Sequence, residues 1–259
     1  MTYQHISLED IMAIAREAGN AIMEIYARDF AVEVKGDQSP LTEADTRSNE
    51  IILSRLQALY PSIPFISEET KQTPYAIRQH WAQYWLIDPI DGTKEFIKKN
   101  GEFTVNIALV EAGVPVLGVV YAPALNLLYF AAQGVGAFLR SEQQGDVRLN
   151  PGQHYSQKEQ LVVVGSRSHL SDETLAFVEQ LKAAGKQVEF ANMGSSLKLC
   201  LVAEGKADVY PRFGPTMEWD TAAAHAVALY AGRQVLQADN GQPLRYNKEN
   251  LLNPYFIVE

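Results

Sequence analysis

The stretch Trp85-Leu86-Ile87-Asp88-Pro89-Ile90-Asp91-Gly92-Thr93 constrains this chain more than any other. Apolar residues that favour strands run directly into two aspartates. Pro89 keeps Asp88 out of a helix, because the proline ring clashes with a helical predecessor. A strand end built this way can aim both carboxylates and the Ile90 carbonyl at one point, giving the hard oxygen donors that Mg2+ takes. Thr93 can then open a helical turn that brings a hydroxyl and backbone N–H groups beside them. Read alone, the stretch serves equally well as an ordinary Asp-Pro and Asp-Gly turn.

Patterns on either side place that strand after two helices. Ser7 can cap a helix in which Leu8, Ile11, Met12, Ala15, Ala18, Ile22 and Ile25 recur at helical spacing. After a polar connection with Gly36 and Pro40, Thr42 can cap a second helix to about Leu59, ahead of Pro61. Strand-like runs follow at 63–66, 84–87, 103–110, 115–121 and 127–131. The polar segment 143–157, with Gly145, Pro151 and Gly152, predicts a boundary. It separates an α+β half, 1–145, with the large sheet and most candidate ligands, from an α/β half, 146–259. In the second half, strand-like 161–164, 187–190 and 207–210 alternate with helices near 171–184, 195–204 and 219–230. No internal repeat marks a solenoid.

Composition narrows the function classes. With 259 residues and 47% hydrophobic content the chain can bury a sizeable core without covalent staples. A formal charge of −9 without a basic cluster opposes nucleic-acid polymers, while a small anion stays compatible because a divalent ion inverts the local potential. Cys200 is the single cysteine, so no intrachain disulfide forms, and its apolar neighbours predict a buried core thiol. The first ten residues carry Glu9 and Asp10 and do not read as a secretory signal. The longest apolar run, 103–121, is interrupted by Asn106, Glu111, Gly113 and Pro115, so no transmembrane segment is expected. The expected setting is cytoplasmic.

Three further acidic elements accompany the first. Ser67-Glu68-Glu69 follows a strand-like run and reads alone as a solvated turn. Asp45, in Thr42-Glu43-Ala44-Asp45, reads alone as the third residue of a capping box. Asp220, in Glu218-Trp219-Asp220-Thr221, has the position of a helix first-turn residue. No one of them is diagnostic. Together, in this order and spacing over nearly the whole chain, they resemble the signature of the inositol monophosphatase family of metal-dependent, lithium-sensitive phosphatases.

The resemblance implies a layered αβαβα sandwich and two to three Mg2+ ions. It implies that Glu68, Asp88 and the Ile90 carbonyl hold one ion, that Asp88 bridges to a second held with Asp91 and Asp220, and that a third lies near Glu68. Asp45 and Thr93 match the positions that orient and activate the attacking water. Two such ions lower the pKa of bound water and stabilise the leaving oxygen of an in-line displacement, with no covalent phosphoenzyme. No cysteine-centred nucleophile motif and no phosphate-binding loop of the nucleotide kinases is present.

Within the family, Gly92-Thr93-Lys94-Glu95-Phe96 and Gly194-Ser195-Ser196-Leu197-Lys198 resemble the branch that acts on 3′(2′),5′-bisphosphate nucleotides. Ser195 and Ser196 can open a helix whose N–H groups bind an anion, and Lys198 adds charge one turn in. Likeness to that branch adds Gly194, His169 and Arg212 as substrate contacts, alongside Asp91, Gly92, Thr93 and Asp220. A surface His and an exposed Arg are the competing readings for two of these, and a turn residue for Gly194. The implied reaction is hydrolysis of adenosine 3′,5′-bisphosphate to AMP and phosphate, with 3′-phosphoadenylyl sulfate as a second substrate and a place in sulfur metabolism. Alternatives are an inositol or sugar-phosphate monophosphatase, or a phosphate-ligand sensor without turnover. A monomer or a homodimer fits, as does peripheral attachment to the inner face of a membrane.

Overall fold

The computed structural model describes residues 1–34, 40–166 and 171–259. A short pair, β1 (Thr2–Tyr3) and β2 (Ile6–Ser7), leads into α1 (Leu8–Tyr26), whose first turn is capped by the Ser7 hydroxyl accepting from Asp10 N–H at 3.3 Å. The hairpin β3 (Val32–Val34) and β4 (Pro40–Thr42) precedes α2 (Glu43–Leu59). Gly36 of the expected polar connection lies outside the described residues.

A large sheet follows, built from β5 (Phe65–Ser67), β6 (Gln83–Asp91), β7 (Thr104–Glu111), β8 (Val114–Ala122), β9 (Leu127–Ala132), β10 (Gly136–Ser141) and β11 (Gly145–Arg148). Short helices α3 (Tyr75–Arg78) and α4 (Thr93–Ile97) flank β6. The strand order is β11-β10-β9-β8-β7-β6-β5, antiparallel except for the parallel pair β5 and β6. β11 falls inside the polar 143–157 segment and is exposed throughout, which is why its pattern does not read as a strand.

The remaining elements form a second layered unit: β12 (Gln160–Gly165), α5 (Asp172–Ala183), β13 (Gln187–Asn192), α6 (Leu197–Glu204), β14 (Tyr210–Arg212), α7 (Glu218–Ala231), β15 (Val235–Gln237) and β16 (Phe256–Val258). β12 pairs with β13 in parallel, and β16 lies between β14 and β15. A parallel bridge Val163↔Val209 and the Val164 N–H donating to Val209 O at 3.0 Å join the two groups into one surface.

Alternation along β6 assigns the layers. Trp85 and Ile87 enter one core with α1 and α2, whereas Tyr84 and Leu86 enter a second core with α6 and α7. The second core also takes Val164, Tyr210 and Phe256 from the far sheet, whose outer face packs on α5 through Val163, Val178 and Val209. The order is helix, sheet, helix, sheet, helix, the layered α/β sandwich that the resemblance implies. α7 lies close on the large sheet because β8 has no side chain at Gly118, where a Cβ would stand 2.2 Å from the Ala223 carbonyl oxygen.

Candidate active site

The expected strand 84–87 runs on to Asp91 and carries a bulge. Asp88 opposes Asn106 and Asp91 opposes Thr104, so Pro89 and Ile90 face the single residue Val105. In a regular strand, residues three apart point to opposite faces. The extra residue cancels one alternation, and Asp88 and Asp91 share the face toward α6 and α7. Proline suits the bulge because no ladder N–H is required there. The Ile90 N–H instead donates to the Asp88 carboxylate at 3.0 Å.

Parallel pairing of Ser67 with Ile87 brings the next residue, Glu68, beside Asp88, and the Glu68 N–H donates to Ile87 O at 3.2 Å. Asp220 arrives from the first turn of α7, its carboxylate accepting the Met217 N–H at 2.8 Å. Asp88 is 1% exposed. Burial, then the charges of Glu68, Asp91 and Asp220, push its carboxyl well above the usual range. Asp220 is raised well above its usual range by burial and then by Asp91, and Asp91 is pushed up to about 6 by burial, against the pull of Lys198. Four carboxylates held this close are a net cost that a divalent cation removes, and their oxygens suit Mg2+. Among the described residues no three of these carboxylates are arranged as a preformed metal site. Asp91 is turned onto the Ser196 N–H and Asp220 onto the Met217 N–H.

Asp45 carries two roles on one side chain. Its Oδ2 accepts the Thr42 N–H at 2.8 Å and the Thr42 hydroxyl at 2.6 Å, closing the capping box of α2. Its Oδ1 accepts from the Thr93 hydroxyl at 3.3 Å, and that hydroxyl also stands 3.3 Å from the Ile90 carbonyl oxygen. Gly92, at φ 92°, turns the chain from β6 into α4; a Cβ there would meet the Glu102 carbonyl oxygen at 3.2 Å.

On the second-core side the structure joins Gly194, Ser195, Ser196, Lys198, Arg212 and Asp220 around a cavity of about 140 Å³ that also touches Asp91 and Gly92. A larger cavity, about 650 Å³, opens over Glu68, Asp88, Ile90, Asp91, Thr93 and Asp220. Asp91, Gly92 and Asp220 line both. α6 begins at Leu197 rather than Ser195, with Ser195 held at φ 47°. Lys198 is buried and its Nζ donates to Ser195 O at 2.6 Å; burial pushes the ammonium down to about 8. Arg212 donates to Pro215 O at 2.9 Å. His169 lies outside the described residues. The Cys200 thiol is buried in α6 and pushed well up by burial, so it is a poor nucleophile.

Sequence reasoning missed the polar support beneath Asp91. The Ser196 hydroxyl donates to Asn106 Oδ1 at 2.9 Å and lies 2.9 Å from the Thr104 hydroxyl, and Asn106 Nδ2 is buried with no hydrogen-bond partner. Thr104 and Asn106 stand two apart in an otherwise apolar run, the spacing that puts two polar groups on one strand face. That spacing was the available signal. Ser67 is similarly held, its hydroxyl donating to Asn49 Oδ1 at 2.6 Å.

The family model for the inositol monophosphatase family matches residues 6–255. A Salmonella typhimurium protein named 3′(2′),5′-bisphosphate nucleotidase CysQ is 49% identical over 254 residues, covering 97% of this chain and 98% of that one. The crystal structure of CysQ from Bacteroides thetaiotaomicron, described as a bacterial member of the same family, superposes with a TM-score of 0.85 at 48% identity, over 97% of this chain and 96% of that one. An IMPase from Thermotoga maritima superposes with a TM-score of 0.76 at 26% identity, over 97% and 91%. The chain belongs to the inositol monophosphatase family.

Proposed function

We propose that this chain is a Mg2+-dependent 3′(2′),5′-bisphosphate nucleotidase that converts adenosine 3′,5′-bisphosphate to AMP and phosphate, with 3′-phosphoadenylyl sulfate as a second substrate. The observation that carries this reading is the shared wall of the two cavities. Asp91 and Asp220 border both the carboxylate centre and the recess that holds Lys198 and Arg212. A ligand with two phosphates fits that pair of environments, one phosphate at the acidic centre and one beside the two cations. The 48–49% identity to proteins named for this activity supports the same choice.

Glu68, Asp88, Asp91, Asp220 and the Ile90 carbonyl would hold two to three Mg2+ ions, which when bound would neutralise phosphate charge and lower the pKa of water. Thr93 orients the attacking water, and its hydroxyl, which donates to Asp45 Oδ1, relays the water's proton to the Asp45 carboxylate. The water oxygen bonds to phosphorus as the P–O3′ bond breaks; the 3′ oxygen leaves with the bonding pair and takes a proton from solvent water, and the proton held on Asp45 returns to solvent, which balances the step. Lys198, Arg212, Ser195 and His169 bind the phosphate that is not cleaved. No helix among the described residues is long and apolar enough to cross a membrane, and a chain with one cysteine builds its fold without an intrachain disulfide, which suits the cytoplasmic setting we propose.

Phosphate release from adenosine 3′,5′-bisphosphate, adenosine 3′-monophosphate and inositol 1-phosphate tests the reading. The bisphosphate has the highest kcat/KM, release requires Mg2+, and millimolar Li+ inhibits it. Faster release from inositol 1-phosphate favours the inositol phosphatase alternative, and no release from any ester favours the sensor.

A further inference from the structure

Asp220 is the one acidic ligand candidate contributed by the second half of the chain, so α7 must be held in place against the segment that carries Glu68. The first turn of α7 is tied down by a buried charge. Glu218 is fully buried, and its carboxylate accepts from Lys248 Nζ at 2.6 Å, Lys248 N–H at 3.0 Å and Asn247 N–H at 2.7 Å. Asn247 in turn accepts from Arg78 Nη1 at 2.7 Å and donates to Arg78 O at 2.8 Å, reaching α3 on the segment just after Glu68. Arg78 is itself 3% exposed. The other end of the same loop closes on α7 through Asn253, which donates to Met217 O at 2.8 Å and Thr221 Oγ1 at 3.0 Å.

We propose that Glu218 and Lys248 are a positioning pair that fixes Asp220 relative to Glu68 and Asp88, and so sets the affinity of the site for its divalent cations. The inference rests on the metal-centred reading above. Asp220 lies two residues after Glu218 in one helical turn, so a rotation or slide of that turn moves both carboxylates together. An ion pair with one member fully buried and three donors at 2.6–3.0 Å permits little such motion. Neither side chain lines the two site cavities, so the pair acts through Asp220 rather than on substrate.

The test compares wild type with Glu218→Gln, Lys248→Met and Lys248→Arg, each as the full chain. Calorimetry measures Mn2+ binding without substrate, and phosphate release from adenosine 3′,5′-bisphosphate measures the Mg2+ requirement. Lys248→Met and Glu218→Gln weaken Mn2+ binding by roughly 10- to 100-fold, the scale seen when the outer support of a metal ligand is removed. The Mg2+ concentration for half-maximal rate rises by the same factor while the nucleotide KM at saturating Mg2+ stays within about threefold, and Lys248→Arg restores both. Lys248 is 29% exposed, so Lys248→Met carries the test if Glu218→Gln does not fold. A Lys248→Met protein that unfolds cooperatively and binds Mn2+ within about twofold of wild type overturns the proposal. If wild type releases no phosphate from any ester, the nucleotidase reading falls, and the Mn2+ calorimetry still decides the role of the pair.

Discussion

Asp88 shows the conflict between site and fold at the level of one side chain. Its carboxylate is buried among Glu68, Asp91 and Asp220, an arrangement that costs stability unless a cation is present. Asp88→Asn keeps the shape and removes one charge. It lowers kcat by on the order of 10³-fold, the scale of losing one preorganised electrostatic group, and raises stability without metal by roughly 1–3 kcal/mol. Chelator-treated protein followed by urea denaturation checks the second effect; a variant that is both active and less stable contradicts the assignment. Lys198 makes a different bargain, since its ammonium both faces the recess and holds the Ser195 carbonyl. Lys198→Ala lowers kcat/KM for adenosine 3′,5′-bisphosphate by about 10- to 150-fold, the worth of one charged hydrogen bond, and leaves adenosine 3′-monophosphate nearly unaffected. Equal losses on both substrates would instead mark Lys198 as a support for the Ser195 turn. At this scale the acidic residues were legible because four elements agree in order. The Thr104, Asn106 and Ser196 support was not, because their partners are 90 or more residues apart in sequence.

Secondary elements set where those side chains point. The strand at 84–87 was legible from its apolar run, but its continuation to Asp91 was not, since Asp-Pro and Asp-Gly are turn signals locally and only the partner strand β7 shows the pairing. α6 was expected from Ser195; it starts at Leu197 because the Ser196 N–H goes to Asp91 and Ser195 sits at positive φ. The capping box of α2 was legible outright, as Thr42 and Asp45 carry their own geometry. Gly118 was not singled out, because what it admits is the backbone of α7 rather than any local turn. Gly118→Ala forces a Cβ against the Ala223 carbonyl and costs roughly 1–3 kcal/mol by overpacking, read as a lower urea midpoint. It also shifts the helix that carries Asp220, so the Mg2+ requirement rises with it. A full retention of midpoint would mean that α7 does not depend on this contact.

For the whole molecule, helix-sheet alternation and the family resemblance made the five layers legible, whereas strand order and the exposed edge strand β11 depend on pairings that no local pattern encodes. One contribution to the acid response of the whole comes from His225, buried in α7 with Nδ1 2.9 Å from the Tyr246 hydroxyl and pushed by burial from 6.5 down to about 3. The folded state keeps His225 neutral. Between pH 6.5 and 3 the unfolded chain binds the extra proton, so stability is full above that window and falls as pH drops through it, by at most about 1.4 kcal/mol per pH unit. His225→Gln flattens that part of the acid limb, as urea midpoints at pH 7, 6, 5 and 4 would show; an unchanged slope assigns the loss to other groups. The bulge at Pro89 and Ile90 has a consequence for comparing chains of this kind. Between the two aspartates, the number of residues sets the face on which Asp91 emerges, and their identity comes second. A substitution at either position alters how comfortably the kink is made, but removing one residue turns the Asp91 side chain to the opposite face of the strand, away from Asp88, so an alignment that slides a gap through this segment separates two carboxylates that the fold brings together.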